Sequence, residues 1–141
     1  MGKLTERLLD ASRSGVYRVS RTSALEDALR GTGLDLANVD LAGTSGKEDL
    51  LEAIARALGF PEWFGGNWDA LEDCLADLSW RPGRGHVLLF RAYREAGADE
   101  LGILVDVLGS AAEFWAARGR PFFAVFVDPD GALGLAALHR E

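Results

Sequence analysis

Two stretches, "GHVLLF" at residues 85–90 and "PFFAVFV" at residues 121–127, form apolar runs without the polar alternation of a half-exposed strand. A strand with one face in water alternates apolar and polar residues. Unbroken runs must therefore be covered on both faces, as in a parallel sheet lined by helices. Between them lies "DELGILVDVLGSAAEFWAARG" (99–119), a long helical pattern closed by Gly119. Strand, helix and strand in this order make a parallel crossover unit.

The earlier half of the chain repeats the alternation. "GVYRV" (15–19) and "DLANVDLAG" (35–43) are strand candidates. "SALEDALRG" (23–31) reads as a helix with Ser23 as its cap and Gly31 as its end. "SGKEDLLEAIARALG" (45–59) is a helix with Leu50, Leu51, Ile54 and Leu58 on one face, stopped by Gly59 and Pro61. "DPDG" (128–131) is a turn. The expected class is α/β, with a mainly parallel sheet of three to four strands and packed helices. One domain is expected, with a core over 34–128, a β-α extension over 1–33 and a tail over 129–141 without assigned structure.

With 141 residues, 48% of them hydrophobic and 26% charged, the chain can bury a real core. A net charge of -7 argues against nucleic acid as a direct partner and permits a basic one. Cys74 is the sole cysteine, which excludes an internal disulfide and fits a reducing compartment. "MGKLTERLLDASRSG" is charged every few residues, unlike a secretory signal, and no apolar run is long enough to span a membrane. The expectation is a cytoplasmic protein.

The most unusual stretch is "FPEWFGGNWDALEDCLADL" (60–78), which holds five acids and no base. Asn67 is placed as N-cap of a helix from Trp68 to about Leu78. At about 100° per residue, Trp68, Leu71, Cys74, Leu75 and Leu78 share one side, while Asp69, Asp73 and Asp77 share the other and Glu72 lies toward the boundary. The carboxylates must be exposed, because unpaired charges cannot be buried. A solvated acidic face would be the ordinary outcome. Three features point further: no Lys or Arg occurs from Ala57 to Trp80, Gly65 and Gly66 leave backbone open before the helix, and Trp63 and Phe64 lie in that loop. Aromatic anchors beside unrelieved charge have the composition of an interface.

"FPEWFGGNWDALEDCL" resembles the signature of the barstar family, intracellular inhibitors of barnase-like secreted ribonucleases. Around this nearly unbroken match a looser resemblance covers roughly residues 36–127. It implies a loop and helix that plug the active site of a basic secreted ribonuclease in a 1:1 complex, with Asp73 in the phosphate site and Asp69 beside it. It further implies that Trp63 stands where the family has a partner-packing tyrosine, that Gly65 and Asn67 keep the loop, and that Cys74 faces inward. Glu113 falls near the family's glutamate on the last helix. One departure is Glu72, where the family carries tryptophan; it points to a different or more basic partner. Asp77 and Glu72 are expected to add long-range attraction.

The resemblance implies no cofactor, no metal and no catalysis. The rival enzyme reading would use Asp69, Glu72 and Asp73 as a Mg²⁺ or acid–base site. His86 opens an apolar strand and His139 lies in the tail, so neither has an evident constellation, and no phosphate loop, dinucleotide fingerprint or nucleophile elbow occurs. Another alternative is an immunity or regulatory protein for some other basic toxin or enzyme.

Overall fold

The computed structural model describes residues 2–141. The strands are β1 (Gly15–Val19), β2 (Asp35–Asp40), β3 (His86–Arg91), β4 (Phe122–Val127) and β5 (Ala136–Ala137); the helices are α1 (Lys3–Leu9), α2 (Ser23–Leu29), α3 (Lys47–Leu58), α4 (Trp68–Asp77) and α5 (Ala98–Ala116). All strands are parallel and form one sheet in the order β2-β3-β4-β1-β5.

The two apolar runs are the central strands β3 and β4, and their alternation sorts side chains between two cores. Leu88 and Phe90 of β3, with Phe122, Ala124 and Phe126 of β4, pack with the apolar faces of α3, α4 and α5. Val87, Leu89, Phe123 and Val125 pack on the opposite face with Leu8 of α1 and with Leu25 and Leu29 of α2. The result is a three-layer arrangement in which both faces of the sheet are covered, as the unbroken apolar runs require.

The sheet has five strands, not three to four. The additional strand, β5, lies in the tail and pairs Ala136 and Ala137 with Tyr17 and Arg18. Both alanines are exposed, so no hydrophobic pattern announces it. The tail is held by a bond from the Leu138 amide to the Arg18 carbonyl (2.9 Å) and one from Arg18 Nε to the Leu135 carbonyl (3.1 Å). The fully buried Asp128 carboxylate also anchors it, accepting from Tyr93 Oη (2.6 Å) and from the Ala132 and Leu133 amides (3.2 and 3.0 Å). Burial and this carboxylate push the Tyr93 hydroxyl up to about 12.

Residues 1–33 contribute more than a β-α unit, because α1 precedes β1. β1 pairs along its whole length with β4, from Gly15↔Phe123 to Val19↔Val127. It thus covers the edge that β4 would otherwise present to other chains. Ser23 is the first helical residue of α2 rather than its cap. The cap position belongs to Thr22, whose side chain makes no capping bond.

Candidate functional site

α4 forms where the spacing predicted. Asn67 Oδ1 accepts from the Ala70 amide at 2.7 Å and so satisfies one of the free donors at the helix start. Leu71 and Leu75 are buried in the core shared with the sheet and α5, and Cys74 is fully buried beside them. The helix stops at Leu78, which is buried in a left-handed conformation (φ 49°) that costs an L-residue roughly 1–2 kcal/mol. Its side chain completes the core there.

Two indoles fix the helix ends by bonding carbonyls that have no partner within their own helix. Trp115 Nε1 donates to the Leu75 carbonyl at 2.8 Å and locks α4 to α5. Trp80 Nε1 donates to the Leu58 carbonyl at 2.9 Å, bridging the end of α3 to the segment that leaves α4. Arg81 then reaches Asp35 on β2 through two bonds of 2.6 and 3.0 Å. α4 therefore sits on a framework tied at its last turn and beyond its end.

The loop before α4 divides its aromatics. Phe64 turns inward, with its ring 4.9 Å from Phe60, which in turn meets Trp80 edge-on at 5.9 Å. Trp63 is left outside at 61% exposure, the larger of the two exposed large hydrophobic side chains among the described residues, the other being Ile103. The turn is closed by the Phe64 amide on the Pro61 carbonyl (3.0 Å). Gly66 has φ +69°, a conformation that disfavours any side chain. Gly65 does not; a Cβ there would meet Ala70 and Asn67 at an ordinary 3.6 Å.

Asp69, Glu72, Asp73 and Asp77 are all exposed, as is Glu62 in the loop. None of these five takes part in an ion pair among the described residues. The bases that flank the stretch are committed elsewhere: Arg56 bonds Glu52 at 2.6 Å and Arg81 bonds Asp35. Asp77 accepts only a long 3.3 Å bond from the Ser79 amide. Removing these five acids from the chain's 22 would leave 17 against 15 bases, so this one surface holds most of the net charge. Asp69, Asp73 and Asp77 recur every four residues, about 6 Å apart along the axis. Cys74 is fully buried beneath them; burial pushes its thiol up, and Asp77 and Asp73 push it further.

Glu113 stands apart from this arrangement in one respect. It is exposed on α5 in the solvent row with Asp99 and Asp106, about 200° around the helix from Trp115, which makes the contact with α4.

One polar cluster escaped the sequence reading. His86 is not isolated: its Nδ1 lies 3.0 Å from Asp35, which also binds Arg81, and all three are largely buried where β2 and β3 begin. Burial would raise the Asp35 carboxyl, but the bonds from Arg81 and His86 outweigh it and hold it below its ordinary value. Burial depresses His86 against the opposing pull of Asp35. The partners lie 46 and 51 residues apart in sequence, and only the register of β2 on β3 (Asp35↔His86) brings them together. Among the described residues, no three His, Cys, Asp or Glu side chains converge as a metal site, and no helix is long and apolar enough to cross a membrane.

The framework and the acidic surface can be set beside known proteins. No curated protein matches the chain. The solved structure of the Aeropyrum pernix ORC2 protein in ADPNP–ADP complexes is similar, with a TM-score of 0.55 and 16% identity over 85% of this chain and 36% of that one. This chain thus spans about a third of that protein, and the likeness is one of fold alone. The family described as Barstar (barnase inhibitor) matches residues 34–127, from the residue before β2 to the end of β4, and so takes in the loop, α4, α5 and the central strands. With two thirds of its residues inside that match, this chain belongs to the barstar family.

Proposed function

We propose that this chain inhibits a barnase-like ribonuclease by filling its active site with the exposed face of α4 and with Trp63. The observation that carries the reading is the pairing of unneutralised carboxylates with an exposed indole on one rigid support. A ribonuclease cleft is lined with cations that hold phosphates. Asp73 takes charge-assisted bonds from them, and Asp69, Glu72 and Asp77 raise the association rate by long-range attraction. Trp63 stacks at the edge of the cleft, Gly65 lets the partner approach the backbone, and Asn67 keeps α4 started at the right residue. Glu113 belongs to this set only if the partner reaches around α5. The complex is 1:1, and the setting is the cytoplasm.

The experiment is a calorimetric titration against a barnase-like ribonuclease. Asp73→Ala should weaken binding by about 2–5 kcal/mol, because it leaves a desolvated cation without its partner; barnase–barstar charge pairs themselves informed that range. Asp99→Ala, an exposed acid on α5 outside the proposed face, should leave affinity unchanged. Equal losses from both would reject the assignment. Glu72 favours a second reading: an exposed carboxylate where the family has tryptophan suits a more basic toxin or enzyme as the partner.

A further inference from the structure

A cleft of about 420 Å³ lies between α1, the turn that follows it and the tail. Lys3, Arg7, Arg13, His139 and Arg140 line it, together with the carboxylates of Glu6 and Asp10. All of these residues fall outside the family match at 34–127. On a protein of net charge -7, this gathering of cations is a local reversal of sign.

Arg7 lies over the Tyr17 ring, 5.9 Å from its centroid, but carboxylates of the protein do not account for the cations. Lys3, Arg7, Arg13 and Arg140 appear in no ion pair among the described residues. Asp10 is occupied by the Ser12 amide and hydroxyl at 3.0 and 2.6 Å. Glu141, the carboxylate nearest His139, stands 3.6 Å from Nε2, too far for a hydrogen bond, and both its oxygens receive the Ser20 amide at 2.9 and 3.1 Å.

A second observation converges on the same place. Among the described residues, two buried side-chain polar atoms lack a hydrogen-bond partner in the protein: Arg7 Nε and His139 Nε2. Arg7 lines this cleft, whereas His139 stands between it and a second cleft of about 410 Å³ that also holds Glu141. A buried guanidinium N–H without an acceptor is costly, and Arg7 stands in the cleft wall with neither its N–H nor its charge answered by a carboxylate among the described residues. Arg, Lys and His side chains around one space match a ligand with several acceptor oxygens and negative charge.

We propose that this cleft binds a phosphate-bearing anion between the charged ends of Lys3, Arg7, Arg13 and Arg140. The volume admits a diphosphate group, free or carried by a nucleoside. The site is on different elements from α4 and does not depend on the nuclease reading.

The test is a side-chain ¹H–¹⁵N NMR titration of the full chain, following the Arg7 Nε–H resonance. Inorganic pyrophosphate is one arm, uridine diphosphate the second and sodium chloride at matched ionic strength the control. A saturable shift with pyrophosphate and none with chloride is expected. Tighter binding of uridine diphosphate would assign a nucleoside-borne ligand, and weaker binding a free one. Arg7→Gln, read by calorimetry, should lower affinity by about tenfold or more, since it removes a charge-assisted bond. Should that variant fail to fold, the exposed Arg140→Gln serves, with a loss of a few-fold. A shift that never saturates, that chloride reproduces, or that coexists with undiminished affinity in both variants would overturn the proposal.

Discussion

Asp73→Asn should make the free protein more stable while weakening its binding. Asp73 is exposed, has no cationic partner and stands four residues from both Asp69 and Asp77 on the face of α4. Like charges at that helical spacing repel by roughly 0.2–0.5 kcal/mol per pair, so removing both contacts yields about 0.4–1 kcal/mol. Asn and Asp have similar helix propensity, and the site lies mid-helix, where the dipole acts weakly, so neither effect masks the gain. In a chain of this size the gain corresponds to a rise of about 1–4 °C in Tm. Urea unfolding at pH 7 and low ionic strength measures it directly. Repeating it in about 1 M salt, where the screening length shrinks to about 3 Å, should erase most of the difference. A loss of stability would mean that Asp73 is already neutralised within the fold, and a gain that survives high salt would mean that its source is not charge repulsion; either result would defeat the reasoning from unrelieved charge.

Further outcomes follow from the loop and the buried polar cluster. Gly66→Ala should cost roughly 1–2 kcal/mol, because its φ of +69° is a left-handed conformation, whereas Gly65→Ala should change unfolding free energy by no more than about 0.5 kcal/mol; equal effects in chemical denaturation would contradict the turn geometry. Because the folded chain holds the His86 imidazole below its ordinary value, the unfolded chain takes up that proton first, near about pH 6.5. His86 therefore contributes stability that is complete above about pH 6.5 and declines as the pH falls, and Asp35, also depressed when folded, adds a further decline below about pH 4. His86→Gln should flatten the decline between about pH 7 and 5 relative to the wild type; parallel pH profiles for the two proteins would refute this.

Much of this architecture was legible because it rests on local pattern. The unbroken apolar runs gave β3 and β4, the 3.6-residue period gave α3, α4 and α5, and Asn67 gave the start of α4. What escaped was set by tertiary contact. α1 spans seven residues and buries only Leu8, too little for a periodic signal. β5 exists because β1 offers it an edge, not because Ala136 and Ala137 favour a strand. In the loop, composition could not tell Trp63 from Phe64; only the contacts among Phe60, Phe64 and Trp80 decide which ring faces water. The acidic face of α4 was predictable as a face. That Arg56 and Arg81 would be committed elsewhere was not, and this leaves its carboxylates unpaired.

The most direct measurement is steady-state cleavage of RNA by a barnase-like ribonuclease at several fixed concentrations of this chain. If the acidic helix occupies the phosphate sites of the cleft, the apparent KM for RNA rises with inhibitor while kcat at saturating RNA stays constant. A fall in kcat with KM unchanged, or undiminished cleavage at stoichiometric excess of the chain, would contradict substrate mimicry by α4.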